Sequence, residues 1–116
     1  MNRILVLFLS LSLCTVSATS EPQRPIYIQY SIAGQERTAS YFRRLSVQTP
    51  RLSGPDVQEV QRQVRQVIPA AQGLKIDGYY GPATSDAVRR FQLRNNLTPN
   101  GVVNFDTWAV LFRLSD

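Results

Sequence analysis

Val57, Val60, Val64 and Val67 recur every three or four residues, the spacing that gathers apolar side chains on one face of an α-helix. Gln58, Glu59, Arg62, Gln63, Arg65 and Gln66 fill the intervening positions, so a helix with a wet outer face is predicted from Ser53 to about Val67. Ser53-Gly-Pro-Asp56 has the form of a capping box, with Asp56 in place of the usual Glu. Pro69 ends the helix, because the residue before a proline avoids α backbone. A second helix is expected from about Pro82 to Asn95, with Ala83, Ala87 and Phe91 in one line and Val88 beside it. A third, from about Phe105 to Leu114, turns Trp108, Leu111 and Phe112 inward. Three short amphipathic helices can bury their stripes only against one another. The predicted fold is therefore all-α, a small three-helix bundle over residues 53–116 that folds alone.

The pattern changes before Ser53. Ile4 to Leu13 is an apolar run behind Asn2 and Arg3, interrupted only by Ser10 and Ser12 and followed by Ala18-Thr19-Ser20. That is the layout of a cleavable export signal over residues 1–20, and the run is too short to span a bilayer comfortably. Residues 21–52 carry Pro22, Pro25 and Pro50 and read as a linker or irregular arm. Within it, Ile26-Tyr-Ile-Gln-Tyr-Ser-Ile32 has the β-branched and aromatic content of a short strand. Tyr27, Tyr30, Tyr41 and Phe42 argue against full disorder, and a basic-aromatic arm that docks on a partner is the sharper alternative.

A second regularity lies on top of the helical one. Gly73 to Val88 reappears without a gap as Asn96 to Leu111, pairing Leu74 with Leu97, Asp77 with Asn100, Gly78 with Gly101 and Thr84 with Thr107. Each copy reads as a tight turn that launches a helix. Asp-Gly and Asn-Gly suit the turn, since Asx side chains bond nearby backbone and glycine accepts positive φ. Gly81 and Asn104 then stand at the cap position, and Pro82 at a first helical position, where a missing N–H costs nothing. Repeated turn-plus-helix units point to stacked structure rather than to two catalytic centres. Asp77, Gly78, Gly81, Asn100 and Gly101 are accordingly read as structural turn residues.

Val60-Gln61, Asp77-Gly-Tyr-Tyr-Gly-Pro-Ala-Thr-Ser-Asp-Ala-Val-Arg-Arg-Phe-Gln92, Leu97, Asn100-Gly-Val-Val and Thr107-Trp108 together closely resemble the bacterial peptidoglycan-binding-like module. That family carries D-G-x-[FY]-G-x-x-T-x-x-A-V-x-x-F-Q followed by a second D-G-x-x-G-x-x-T-W. The resemblance covers about Ser53 to Leu114. Its first motif is long and specific, while the second departs with Asn100 for Asp and with Asn104-Phe105 for Gly-x. It implies a small three-helix fold and non-covalent binding to the cell wall. In the family such modules accompany a hydrolase or transpeptidase domain.

Charge and residue content narrow the chemistry. Thirteen Lys and Arg stand against eight Asp and Glu, for a net charge of +5, with no histidine. A basic exported chain is drawn to anionic partners such as wall polymers and stem-peptide carboxylates. Cys14, the only cysteine, lies in the export segment, where bulky Leu13 before it argues against lipid attachment. Without it the chain has neither thiol nor imidazole, which removes disulfides, thiol and histidine catalysis and nearly all transition-metal sites. Asp56, Glu59, Asp77, Asp86 and Asp106 each fit a cap, a surface pair or a turn, leaving no spare carboxylate pair of the kind a glycosidase needs. No catalytic residue, metal or cofactor is expected.

Binding is the remaining reading, and its candidates are Tyr79, Tyr80, Arg89 and Gln92. Tyr79 and Tyr80 sit on the turn, where an amphipathic ring beside backbone donors suits a shallow sugar or peptide site. Arg89, with Arg90 and Arg94, makes the second helix basic, although Asp86 stands three and four residues before the first two. Gln92 either reaches the ligand or holds the neighbouring loop. The expected function is non-catalytic attachment to peptidoglycan in the periplasm or cell wall, targeting or anchoring an exported protein. A wall hydrolase or another envelope protein is the further partner considered, with no stable membrane span. An exported protein-interaction module without muropeptide affinity is the alternative. A helix-turn-helix on nucleic acid is disfavoured by the export signal and the Asp-Gly turns.

Overall fold

The alternation of Ile26, Ile28, Tyr30 and Ile32 builds a strand. In the computed structural model, which describes residues 21–113, β1 (Ile26–Ile32) pairs antiparallel with β2 (Gln35–Tyr41). The turn is Ala33-Gly34, both at positive φ (52° and 81°), which matches the twist of the flanking strands. Ile26 stands opposite Tyr41, Ile28 opposite Ala39 and Tyr30 opposite Arg37. Successive side chains alternate between faces, so these pairs share the inner face while Tyr27 and Thr38 stay exposed.

Three helices follow: α1 (Pro55–Val67), α2 (Pro82–Arg94) and α3 (Phe105–Arg113), with one 3₁₀ turn at Pro69–Ala71. Pro55 and Pro82 open their helices, where the lost N–H has no intrahelical partner. Ile68 is extended before Pro69, and Asn96 at φ 58° closes α2 in left-handed backbone. Val57, Val60, Val64, Phe91, Trp108, Leu111 and Phe112 form the core as the spacing requires. No helix among the described residues is long and apolar enough to cross a membrane. The expected export segment, residues 1–20, lies outside the described residues, as do residues 114–116.

The all-α expectation is corrected: the fold joins three helices to a two-stranded antiparallel sheet. The stretch read as an irregular arm is a hairpin because its inner face completes the core. Tyr30 meets Phe112 edge-on at 5.0 Å between ring centroids, and Tyr41 meets Phe105 at 5.6 Å. Residues assigned to the wet side of α1 are buried by the same contact. Glu59 accepts two bonds from Arg37, at 2.8 and 3.0 Å, and a third from the Tyr30 hydroxyl. Burial opposes its charge, but the bonds from Arg37 and Tyr30 prevail and hold the carboxyl below its ordinary value. Desolvation, then Glu59 itself, pushes the Tyr30 hydroxyl up.

Asp56 does not close a capping box. Gly54 is the N-cap, without a side-chain bond, and Asp56 instead accepts from Arg43 at 2.8 and 3.0 Å. Two bidentate arginine–carboxylate pairs thus fasten the hairpin side to α1. On α2, Ala83 is exposed and Thr84 is buried in its stead.

Candidate functional site

The two sequence repeats are two copies of one hydrogen-bonded device. Gln61, buried on α1, donates from Nε2 to Asp77 Oδ1 (3.1 Å), the Tyr79 carbonyl (3.0 Å) and Thr84 Oγ1 (2.9 Å). Its Oε1 accepts from the Gly78 N–H at 2.9 Å. Gln92, buried on α2, repeats this on the second turn. It donates to Asn100 Oδ1 (3.1 Å), the Val102 carbonyl (2.9 Å) and Thr107 Oγ1 (3.1 Å), and accepts from the Gly101 N–H (2.9 Å). Each amide spends its donors and its acceptor on one turn, which is how a buried amide avoids a desolvation penalty. Thr84 and Thr107 are buried, and each hydroxyl oxygen accepts from its glutamine.

Asp77 Oδ1 also accepts from the Tyr79 N–H at 3.0 Å, and Asn100 Oδ1 from the Val102 N–H at 3.0 Å. The Tyr79 N–H, then Gln61, hold the Asp77 carboxyl below its ordinary value. Gly78 and Gly101 lie at φ 80° and 73°, backbone that β-branched residues resist. At Gly78 an added Cβ would meet nothing closer than 3.7 Å, so Gly78→Val isolates backbone strain from collision. It is expected to destabilise the fold by about 1–3 kcal/mol, read from a thermal melt. An unchanged melting temperature would contradict it.

Around these matching frames the two turns differ. At the second, the start of α3 is covered from within: Glu21 Oε2 accepts from the Phe105 N–H at 3.1 Å, and Asn104 Oδ1 caps Thr107 N–H at 2.9 Å. Tyr41 bonds the other Glu21 oxygen and packs on Phe105. At the first, Gly81 caps α2 without a side chain and is covered only by the Arg51 guanidinium, whose Nη1 an added Cβ would meet at 2.8 Å. A groove of about 360 Å³ lies there, with Arg51, Lys75, Asp77 and Tyr79 around Pro82 and Ala83. A hollow of about 220 Å³, sharing Gly73, Leu74 and Ala83, continues past Asp86 and Arg90. The Arg51 and Lys75 head groups make no hydrogen bond with other described residues, although the Arg51 charge also favours the ionised Asp77, and Tyr79 is 53 % exposed.

The four sequence candidates are not brought together. Tyr79 borders the groove. Tyr80 is fully buried, its hydroxyl bonded to the Gly101 carbonyl, and burial pushes that hydroxyl up. Gln92 is buried in the second turn. Arg89 is exposed on the flank of α2 and paired with Asp86, which also takes Arg90 at 3.1 Å. Arg90, one position on, is the arginine that lines the hollow. Sequence reading passed over Arg51, since its place is set by an extended segment: the Tyr80 N–H donates to the Leu52 carbonyl at 2.9 Å.

Residues 53–111 match the family described as "Putative peptidoglycan binding domain". The chain belongs to that family. Among curated relatives, the module is 38% identical over 69 residues to an N-acetylmuramoyl-L-alanine amidase, CwlL, of Bacillus licheniformis, covering 56% of this chain and 19% of the amidase. It is 48% identical over 42 residues to an uncharacterized protein in the bpoA1 3' region of Kitasatospora aureofaciens, covering 36% of each. The chain therefore spans well under half the length of either relative. No solved structure matches it. The hairpin and Arg51 precede the matched residues, so the family accounts for the glutamine-held turns but not for everything packed around them.

Proposed function

We propose that this chain binds cell-wall peptidoglycan without catalysis, through the open groove at the first turn, and serves as an exported targeting or anchoring module. The observation that carries this reading is the contrast between the two turns. Their frames match bond for bond, yet the second is covered by Glu21 and Tyr41 while the first leaves an aromatic ring and two cations facing a groove. An exposed ring with neighbouring donors suits a sugar or peptide face. Arg51 and Lys75 suit the carboxylates of a stem peptide. The family supports the wall as partner; export rests on the apolar signal pattern of residues 1–20.

Sedimentation with purified insoluble sacculi tests the proposal. Tyr79→Ala is expected to weaken binding roughly five- to tenfold, equivalent to ~1–1.4 kcal/mol of lost ring contact, with an unchanged thermal melt. Arg89→Ala, outside the groove, is expected to leave binding as it was. The part due to Arg51 and Lys75 should fade with added salt while the aromatic part should not. Full binding by Tyr79→Ala would move the site elsewhere. No sedimentation of the unaltered chain would favour a protein-interaction module that keeps only the fold.

A further inference from the structure

Three arginines crowd a smaller cleft between the hairpin tip and α1. Arg37 of β2 and Arg62 and Arg65 of α1 line it, with Gln35, Gln66 and the apolar walls of Ile32 and Ile76. Its volume of about 140 Å³ is less than half that of the groove at the first turn, which suits a small anionic group and not a sugar ring.

The charge inside the cleft is unbalanced. Glu59 is the carboxylate bonded there, and Arg37 and Tyr30 occupy it. Arg62 approaches it only to 3.8 Å, beyond hydrogen-bond length. The Nε of Arg62 is buried beside Glu59 and makes no hydrogen bond among the described residues, so that carboxylate does not consume the guanidinium. Arg65 gives one bond, at 3.2 Å, to the Leu74 carbonyl, leaving the rest of its fork free. The neighbouring acid, Glu36, alternates to the other face of β2. Three guanidiniums thus answer to one saturated carboxylate. The Gln35 and Gln66 amides, which make no hydrogen bond to other described residues, add neutral donors.

We propose that this cleft binds a phosphate group, as the free ion or as the diester of an anionic polymer. A carboxylate is satisfied by one arginine fork, as Glu59 is by Arg37. Arg62 and Arg65, which keep unbonded N–H groups, together with the one Arg37 nitrogen that Glu59 leaves over, match an anion with more oxygens and more charge. Arg37 lies before the residues shared with the family, so the site exists only because the hairpin folds onto α1.

Amide chemical shifts of the full chain, titrated at constant ionic strength, test this. Inorganic phosphate is expected to give saturating shifts at Ile32, Ala33, Gln66 and Ile76. Dimethyl phosphate reports on the diester, and whichever of the two binds more tightly names the source. Arg62→Gln with Arg65→Gln should weaken binding at least about tenfold without lowering the melting temperature in the absence of phosphate. Arg62→Lys, which keeps the charge and loses the fork, should give a smaller loss and serves if the double variant does not fold. Tyr79→Ala should leave phosphate binding intact, which separates this site from the sacculus groove. Non-saturating shifts in the unaltered chain, equal affinity in the folded variants, or acetate binding as tightly as phosphate would each overturn the assignment.

Discussion

A chain beginning at Ser53 is expected to lose about 5 kcal/mol or more of stability relative to one beginning at Glu21. Tyr30, Ala39, Tyr41 and Leu45 are all buried, and each large apolar side chain removed from the core forfeits about 1.5–3 kcal/mol. The shortened chain would also leave Glu59 and Asp56 without Arg37 and Arg43, although each carboxylate would regain water. Net stabilities of small domains are about 5–15 kcal/mol, so the loss approaches the whole margin. The expectation that residues 53–116 stand alone is put to the test by the same pair of chains, because the hairpin's inner face contributes to the core. Circular dichroism on both chains decides the matter: a cooperative melt at the same temperature would show that the hairpin rests on a finished bundle.

Phe91→Ala should cost about 3–5 kcal/mol, the range for emptying a buried aromatic position. Phe91 is 1 % exposed and lies one residue before Gln92, whose four bonds fix the second turn. Collapse of α2 into the vacated space would pull on those bonds, so relaxation offers little relief. Denaturant unfolding measures it, and a loss below roughly 1 kcal/mol would place Phe91 outside the structural core.

What the sequence revealed follows the range of the forces involved. The helix limits were legible because their signals are local: Pro55, Pro69, Pro82 and Asn96 act on the backbone within a residue or two. The turns were legible because Asp-Gly and Asn-Gly carry their own backbone preference, and Gly78 and Gly101 take it. The hairpin was legible only as a possible strand, since its partner strand Gln35–Tyr41 is half polar and gains its place from Glu59 and the aromatic cluster across the chain. The same limit applied to the site. Tyr79 and Tyr80 are neighbours of one kind, and their opposite fates follow from the frame: Tyr80 reaches the Gly101 carbonyl, and Tyr79 is left over the groove. Arg51 was illegible because it reaches the groove through an extended segment with no helical pattern. Ala83 was misplaced because helical spacing cannot register that Gln61, distant in sequence, bonds Thr84 in the interior.

The paired glutamines have a consequence for where the chain can change length. Gln61 on α1 fixes where α2 begins, and Gln92 on α2 fixes where α3 begins, so each helix hands its successor a starting register. Residues added at exposed Gln72 and Gly73, between buried Ala71 and Leu74, would lengthen a loop without disturbing that handover, at a small entropic cost. One residue added between Asp77 and Thr84, or between Asn100 and Thr107, would separate a turn from the hydroxyl its glutamine holds. Variation in length is thereby steered into the wall of the groove and kept out of the turns, leaving the surface free to be retuned for new ligands while the order of the helices stays put.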